Sequence, residues 1–478
     1  MISNYNTSHR NTTSLFGNVD RVALGLYVAI VLIGVLSITS ASFEPDTTNY
    51  FSFSHNYMKQ LVWVAISWSM ASVVLLLERR LFHMFAYPAY VLGILLLIST
   101  LIFGTKVNGA KAWFELGSIR IQPVEFVKIA TALMMARIMS DYSFNIKRLP
   151  DLMKIAVVIL VPFGIIVLQN DTGSGLVLGA FLFVMYREGL SKYLYFPVIF
   201  TIVLFLAALV LQPEIIFLAL LVMFTIYSIL KSGELIGHLR FFFGIVLGWL
   251  LLSTLTPLSG YASLMIVCSV AVVVLAFLAI KTRTMSLLWT IAMFAYAMAF
   301  VPTADFLFSH LEPHQKNRIW TFVGLVDDPR DVGYNVNQSK IAIGSGGMWG
   351  KGFMQGTQIK YDYVPEKHTD FIFCIVGEEW GFFGSAIVVV LYISLILRLM
   401  KMGERIKEPF GRVYCYSVAS ILLVHVIVNM GMTIGLMRVM GIPLPLKRYG
   451  GSSLVAFTLL IMIAIRLDAS TSEGDMYV

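Results

Sequence analysis

Two adjacent carboxylates, Asp327 and Asp328, stand directly before Pro329 in the stretch HQKNRIWTFVGLVDDPRDVGYNVNQSK. Lys316, Arg318, Arg330, Lys340, Lys351, Lys360 and Lys367 surround them with positive charge. A carboxylate in such a setting can take the proton of an attacking hydroxyl. Cations beside it, with or without a divalent metal, can steady a departing diphosphate. The combination suits attack on a sugar carried by pyrophosphate. Asp-Pro pairs also begin turns, so the cluster by itself leaves both readings open.

Other ionisable residues sit inside apolar runs. Glu125 and Lys128, in QPVEFVKIA, are three residues apart on a helix that Pro123 is placed to start, so they share a face and neutralise each other. They are either an ion pair that holds a bundle together or a direct contact to substrate. Asp171, in QNDTGSG, is either an N-cap and hinge or a catalytic or cation-binding acid. Glu378 and Glu379, in FIFCIVGEEWGFFG, point to different helix faces, so one meets a basic partner or water. His425 and Asn429, at i and i+4, are suited to interhelical hydrogen bonds.

The elements that must position these residues are membrane helices. Hydrophobic residues make up 58% of the 478, charged residues 13%, and the mean hydropathy is +0.81; soluble domains carry about a quarter charged residues. Runs such as Val22 to Ala41, Met84 to Phe103, Tyr193 to Leu211 and Tyr261 to Ile280 approach the ~20 apolar residues that cross a hydrocarbon core. Backbone groups in lipid must bond internally, and the period-two alternation of a membrane barrel is missing from these runs. The fold class is therefore an all-α polytopic membrane protein of about fourteen transmembrane helices with one long, partly ordered extracytoplasmic loop. Cys268, Cys374 and Cys415 lie in or beside apolar segments and suggest neither a disulfide framework nor a zinc site. The polar start Met1 to Asp20 has no signal-peptide core, so the first apolar run is expected to stay.

Alternating the spans from a cytoplasmic start puts Arg79, Arg80, Lys147, Arg148, Lys154, Arg187, Lys192, Lys231, Arg240, Lys281, Arg283, Arg398, Lys401, Arg405, Lys407 and Arg412 on the cytoplasmic side. The net charge of +8 follows from that topology, not from a nucleic-acid stripe. Phe43 to Met58, Gly104 to Gln122, Gln169 to Ser174, Asp305 to Asp370 and Gly441 to Gly451 then face outward. The organisation expected is a cytoplasmic tail over 1–21 and a membrane domain over 22–467 that contains the outward loop 303–370. A disordered cytoplasmic end follows at 468–478.

The motifs together resemble the SEDS family, the shape, elongation, division and sporulation proteins, and within it the RodA-type elongation enzymes more than the division-type FtsW. Gln122 to Ala130 looks like the family's QPSE-hydrophobic-x-K segment, and Gln169 to Ser174 like its QPDLGT turn. Asp327 to Phe373 matches its signature loop nearly end to end, and Gly441 to Ser453 resembles the closing PLP…YGGS motif. Departures are Val124 for serine, Asn170 for proline, Ala112 for a basic residue, Asp331 for glycine, and Lys447 and Arg448 where small or apolar residues are common.

The resemblance implies a peptidoglycan glycosyltransferase that polymerises lipid II into glycan strands during cell elongation, without a nucleotide cofactor. Asp328 would be catalytic, taking the proton of the acceptor's sugar 4-hydroxyl while undecaprenyl diphosphate leaves with inversion. Glu125, Lys128, Asp171, Trp113, Lys111, Arg318, Lys351, His368, Asp370 and Glu378 would be substrate-binding or functionally sensitive. A divalent cation, Mg or Mn, is the one candidate cofactor. The implied partners are lipid II, a class B penicillin-binding protein and other elongation-complex membrane proteins, with no nucleic acid. The family's ten spans leave a surplus at 193–302, hydrophobic without motif. Rival readings are a lipid II flippase with Glu125, Lys128, Glu378 and Glu379 along its path, against which no discontinuous helix pair stands out, and a non-catalytic scaffold for a transpeptidase.

Overall fold

The computed structural model describes residues 19–42, 56–107, 109–117, 119–232, 235–257, 259–281, 285–309, 332–365, 367–437 and 439–470. The chain divides into two compact units, Met1–Ser191 with Asp328–Val478, and Lys192–Asp327.

In the first unit α1 (Arg21–Ala41), α2 (Asn56–Leu76) and α3 (Arg79–Phe103) lead into three short strands, β1 (Thr105–Val107), β2 (Ala110–Leu116) and β3 (Ile119–Ile121). Then come α4 (Pro123–Met139), α5 (Leu149–Leu168), α6 (Thr172–Leu178) and α7 (Phe181–Arg187). The second unit holds α8 (Lys192–Val210), α9 (Pro213–Ser232), α10 (Leu235–Leu255), α11 (Gly260–Lys281) and α12 (Met285–Ser309) around an apolar core of Phe217, Leu221, Ile245, Leu264, Cys268 and Val301. The first unit resumes with α13 (Val332–Ser345), α14 (Thr357–Lys360), α15 (Ile372–Arg405), α16 (Pro409–Thr433) and α17 (Gly451–Ala469).

Nine helices among the described residues are long and apolar enough to cross a membrane, and four further apolar segments are shorter. Their surfaces suit that medium: Leu92, Leu95, Ile102 and Phe103 of α3 are all exposed, whereas α17 is buried on every side. Helices that are apolar all round belong in lipid or in a core, and both kinds occur here. The cysteines are buried and free.

A small antiparallel sheet, order β1-β2-β3, fills the Gly104 to Gln122 segment that the sequence leaves as loop. Its centre is AKAWFEL, with Trp113 opposite Thr105 and Phe114 opposite Ile121. The end of the unit that carries this sheet also holds the C-terminal ends of α5 and α16 and the N-terminal ends of α4, α6 and α17.

Basic residues gather at the opposite end. Asp20 caps α1 through the Val22 and Ala23 N–H groups at 3.1 and 3.0 Å and accepts from Arg398 and Arg405 at 2.8 and 2.7 Å. Arg405 also pairs with Asp468, Arg79 with Glu408, and Arg412 with Glu188 at 2.8 Å. Burial acts to raise the Asp20 carboxyl, but the Ala23 N–H and the two arginines outweigh it and hold the group below its ordinary value. The first and last helices are tied at mid-length too, where the Tyr27 and Thr458 hydroxyls meet at 2.8 Å.

The 34-residue α15 is not continuous. At Gly381 the backbone takes φ 65° and ψ −158°, which breaks the helix. The Lys351 and Gly352 N–H groups bond the Glu378 and Glu379 carbonyls at 3.0 and 2.9 Å, and Phe382 N–H donates to the Gly347 carbonyl at 2.9 Å. The loop after α13 thus satisfies the groups that the break frees, as buried backbone requires. Close approach demands glycine here: a Cβ on Gly350 would lie 2.1 Å from the Glu379 carbonyl oxygen. The sequence shows no discontinuous helix pair, and this single break is not announced by it either: its signal, glycines inside GEEWGFFG, is indistinguishable from ordinary helix packing.

Candidate functional site

Four groups of polar residues are built at the sheet end and in the helices beneath it. Pro123 starts α4 at its first turn and brings Glu125 and Lys128 onto the face that packs against α16. The pair meets at 2.8 Å with both side chains 2% exposed. Lys128 Nζ is also 2.9 Å from His425 Nε2, and His425 Nδ1 is 3.1 Å from the Pro443 carbonyl. A carbonyl only accepts, so Nδ1 carries the ring proton and Nε2 accepts from the ammonium. Phe457 of α17 lies beneath, its ring centre 4.9 Å from the ammonium. His425 thus makes the expected interhelical bond, to Lys128 of α4, and also holds the closing loop, whereas Asn429 bonds loop backbone: its Nδ2 donates to the Asp370 and Ile442 carbonyls at 2.9 and 2.7 Å.

Asp171 is the N-cap of α6. It accepts from Ser174 N–H at 3.1 Å, from the Ser174 hydroxyl at 2.8 Å and from Gln122 Nε2 at 2.9 Å. Asn170 has φ 59°, a left-handed backbone that asparagine tolerates and that proline, locked near −65°, could not adopt. That departure therefore carries a different turn. Gln169 anchors it: its Nε2 donates to Leu97 O and Thr100 Oγ1, and its carbonyl accepts Lys111 N–H at 2.9 Å. The Lys111 ammonium is spent on the Ile102 carbonyl at 3.0 Å. Gly173 lets this turn press on the closing loop, since a Cβ there would lie 2.0 Å from the Met440 carbonyl oxygen.

Glu378, fully buried, is the hub of the described part of the signature loop. It accepts from Lys351 Nζ at 2.7 Å, Thr357 Oγ1 at 3.2 Å, Gln358 N–H at 2.9 Å and Ile359 N–H at 3.2 Å. A carboxylate at the start of α14, met by an ammonium, fixes the loop's shape. Glu379, on another face, accepts from Ser40 of α1.

The fourth group joins three segments. His368 accepts Tyr449 N–H on its carbonyl at 2.9 Å. Asp370, at the end of the signature loop, has Arg448 Nη1 3.8 Å from its Oδ1, and the Arg448 guanidinium lies 5.4 Å over the Trp113 ring. Position 112, where the resemblance leads one to expect a basic residue, is an alanine only 2% exposed; the cation beside Trp113 comes from Arg448. Lys447, the residue before, is fully buried, its ammonium has no hydrogen-bond partner among the described residues, and burial pushes it down to about 7.

Thus Trp113, Asp370 and His368 come together around Arg448 and Tyr449, Lys351 joins Glu378, and Glu125 and Lys128 join His425. Lys111 supports the Asp171 turn. Asp328 and Arg318 lie outside the described residues. Among those described, no three His, Cys, Asp or Glu side chains converge as a metal cage needs. The sequence reading missed Gln122 as the partner of Asp171 and Arg448 as that of Trp113. For Arg448 a signal existed, a cation in a loop of small and apolar residues.

Fold and site define a multi-pass helical membrane protein with its polar chemistry gathered where helices meet loops. The chain belongs to the cell cycle protein family of FtsW, RodA and SpoVE, whose sequence model matches residues 20–213 and 202–473. It is 32% identical over 458 residues to the peptidoglycan glycosyltransferase RodA of Treponema pallidum, covering 94% of this chain and 98% of that protein. It is 31% identical over 438 residues to the peptidoglycan glycosyltransferase MrdB of Escherichia coli, covering 92% and 90%. Among solved structures, a chain from work on the coordination of polymerization and crosslinking by a peptidoglycan synthase complex aligns with TM-score 0.59 at 24% identity over 94% of this chain and 97% of its own. The rod shape determining protein RodA of Thermus thermophilus aligns with TM-score 0.54 at 22% identity over 95% and 97%. At those identities the two structures speak to the fold.

Proposed function

We propose that this protein is a peptidoglycan glycosyltransferase that polymerises lipid II into glycan strands during cell elongation. The observation that carries the reading is the signature segment from Asp327 to Phe373, matched nearly end to end, in a chain more than 30% identical to two relatives named for that activity. Asp328 takes the proton of the acceptor's 4-hydroxyl as its oxygen bonds to the donor's anomeric carbon. The bond to the diphosphate oxygen breaks, and undecaprenyl diphosphate leaves with inversion. Glu378 with Lys351, and Asp171 with Gln122, hold the described loops and turns of the site in shape. A divalent cation, Mg or Mn, on the leaving diphosphate is part of the proposal.

The membrane is taken to be the bacterial inner membrane, crossed about fourteen times with both termini in the cytoplasm. The arginine-rich end of the first unit supports a cytoplasmic side there and an outer face for the sheet end. A class B penicillin-binding protein is the proposed partner, supported by the likeness to a synthase complex that couples polymerization to crosslinking. The broken helix α15 favours a transport reading to a degree, since interrupted helices line carrier sites. Here the break is filled by the chain's own loop backbone.

Purified protein given lipid II in detergent, where no second compartment exists, is expected to make glycan strands. Asp328→Asn should lower the rate by roughly 10²–10⁴-fold. Polymerisation at the normal rate by that variant would sink the assignment. EDTA arrest, reversed by Mg, is expected in the same assay.

A further inference from the structure

Arg448 brings a guanidinium to the point where three segments of the sheet end meet. It lies over Trp113 of β2 at 5.4 Å, its Nη1 is 3.8 Å from Asp370 Oδ1, and its side chain is only 14% exposed. A guanidinium carries five N–H donors in a planar fork, and 3.8 Å is beyond hydrogen-bond reach. Among the described residues those donors meet a ring face and a nearby charge but no hydrogen-bond acceptor. A mostly buried cation in that state is costly until something completes it. The neighbouring Lys447 ammonium, fully buried, lacks an acceptor as well.

The Trp113 ring, 5.4 Å from the guanidinium carbon, attracts the cation and restrains where it sits, so less freedom remains to be lost when a ligand arrives. Two parallel N–H groups of a held guanidinium match two oxygens of a phosphate. Asp370 at 3.8 Å offsets part of the charge but does not occupy the fork.

We propose that Arg448 binds a phosphate of the diphosphate in a polyprenyl-diphosphate-linked substrate, with Trp113 holding the cation in place. The identity of the ligand rests on the function proposed above; the anion class rests on Arg448 alone. Phosphate could also come from the head group of an ordinary anionic lipid, and the test separates the two.

The full-length protein in nanodiscs would be titrated with undecaprenyl diphosphate and with the neutral alcohol undecaprenol, with and without phosphatidylglycerol in the disc. In Arg448→Gln the Kd for the diphosphate should rise about tenfold or more, and in Arg448→Lys, which keeps charge but not the fork, about three- to fivefold. Undecaprenol binding should be unchanged in both. The KM for lipid II should rise with kcat within about twofold, the mark of lost binding shared by ground and transition states. An unchanged Kd for the diphosphate overturns the proposal. So does an equal loss for the alcohol, or competition by phosphatidylglycerol strong enough to mask the difference. Should Arg448→Gln not fold, the lysine variant decides alone. The binding comparison needs no turnover, so it stands even if Asp328→Asn polymerises normally and the glycosyltransferase reading fails.

Discussion

Lys447 stores a penalty that pH can read. In the unfolded chain its ammonium titrates at the ordinary 10.5, whereas burial brings it to about 7 in the folded protein. Between those values the unfolded state binds more protons, so stability rises with pH across that window; below about 7 the buried ammonium is charged and its cost is at its fullest. Lys447→Met should therefore melt several degrees above the parent at pH 6.5, with the gap closing as pH approaches 10, measured by thermal unfolding in detergent. A parallel pair of melting curves across that range would contradict it. Residues were legible in the sequence where their partners are close along it. Glu125 and Lys128 pair across three positions, and Asp171 caps the helix that follows it. His425 was legible as an interhelical hydrogen-bonding residue but its partner was not, because Lys128 lies 297 residues away and nothing local announces it. Arg448 was visible as an odd charge, but its seat on Trp113 depends on a loop and a strand more than 300 positions apart in a chain of 478 residues.

Among the elements, the apolar runs were read well because span length is dictated by the hydrocarbon core. The three-stranded sheet was missed because its strands are three to seven residues long and two-sided, too short for alternation to register. The break in α15 was missed for a different reason: glycines are ordinary in membrane helices, and the groups that fill the break come from a loop 27 to 35 residues away. That junction gives a sharp test. Gly347 and Gly350 both have positive φ, 55° and 79°, but a Cβ on Gly347 meets nothing within 4 Å whereas one on Gly350 collides with the Glu379 carbonyl. Gly347→Ala should lose only the left-handed backbone penalty, about 1 kcal/mol. Gly350→Ala should lose roughly 3 kcal/mol or more and release loop 346–352 to protease, read by limited proteolysis and thermal unfolding. Equal behaviour of the two would mean that the loop does not seat in the break.

For the whole molecule, the proposed orientation can be checked without any activity. Tyr142 and Tyr361 are strongly exposed and belong to opposite ends of the first unit, and the three native cysteines are buried. Tyr361→Cys should react with a membrane-impermeant maleimide in intact spheroplasts, and Tyr142→Cys only after permeabilisation. The reverse pattern would turn the protein over and place the signature loop in the cytoplasm. The ties between first and last helices also set a schedule for biogenesis. The Tyr27 and Thr458 hydroxyls that meet in the finished protein are 431 residues apart, and Asp20 waits for Arg398 and Arg405. At about 5–20 residues per second a ribosome needs roughly 20–90 s to deliver the second hydroxyl after the first. During that interval α1 lacks these polar partners, and of the helices it packs against in the finished protein α2 arrives early and α15 late, so the pairing of α1 with α2 has to hold the start of the chain in place until the end is made.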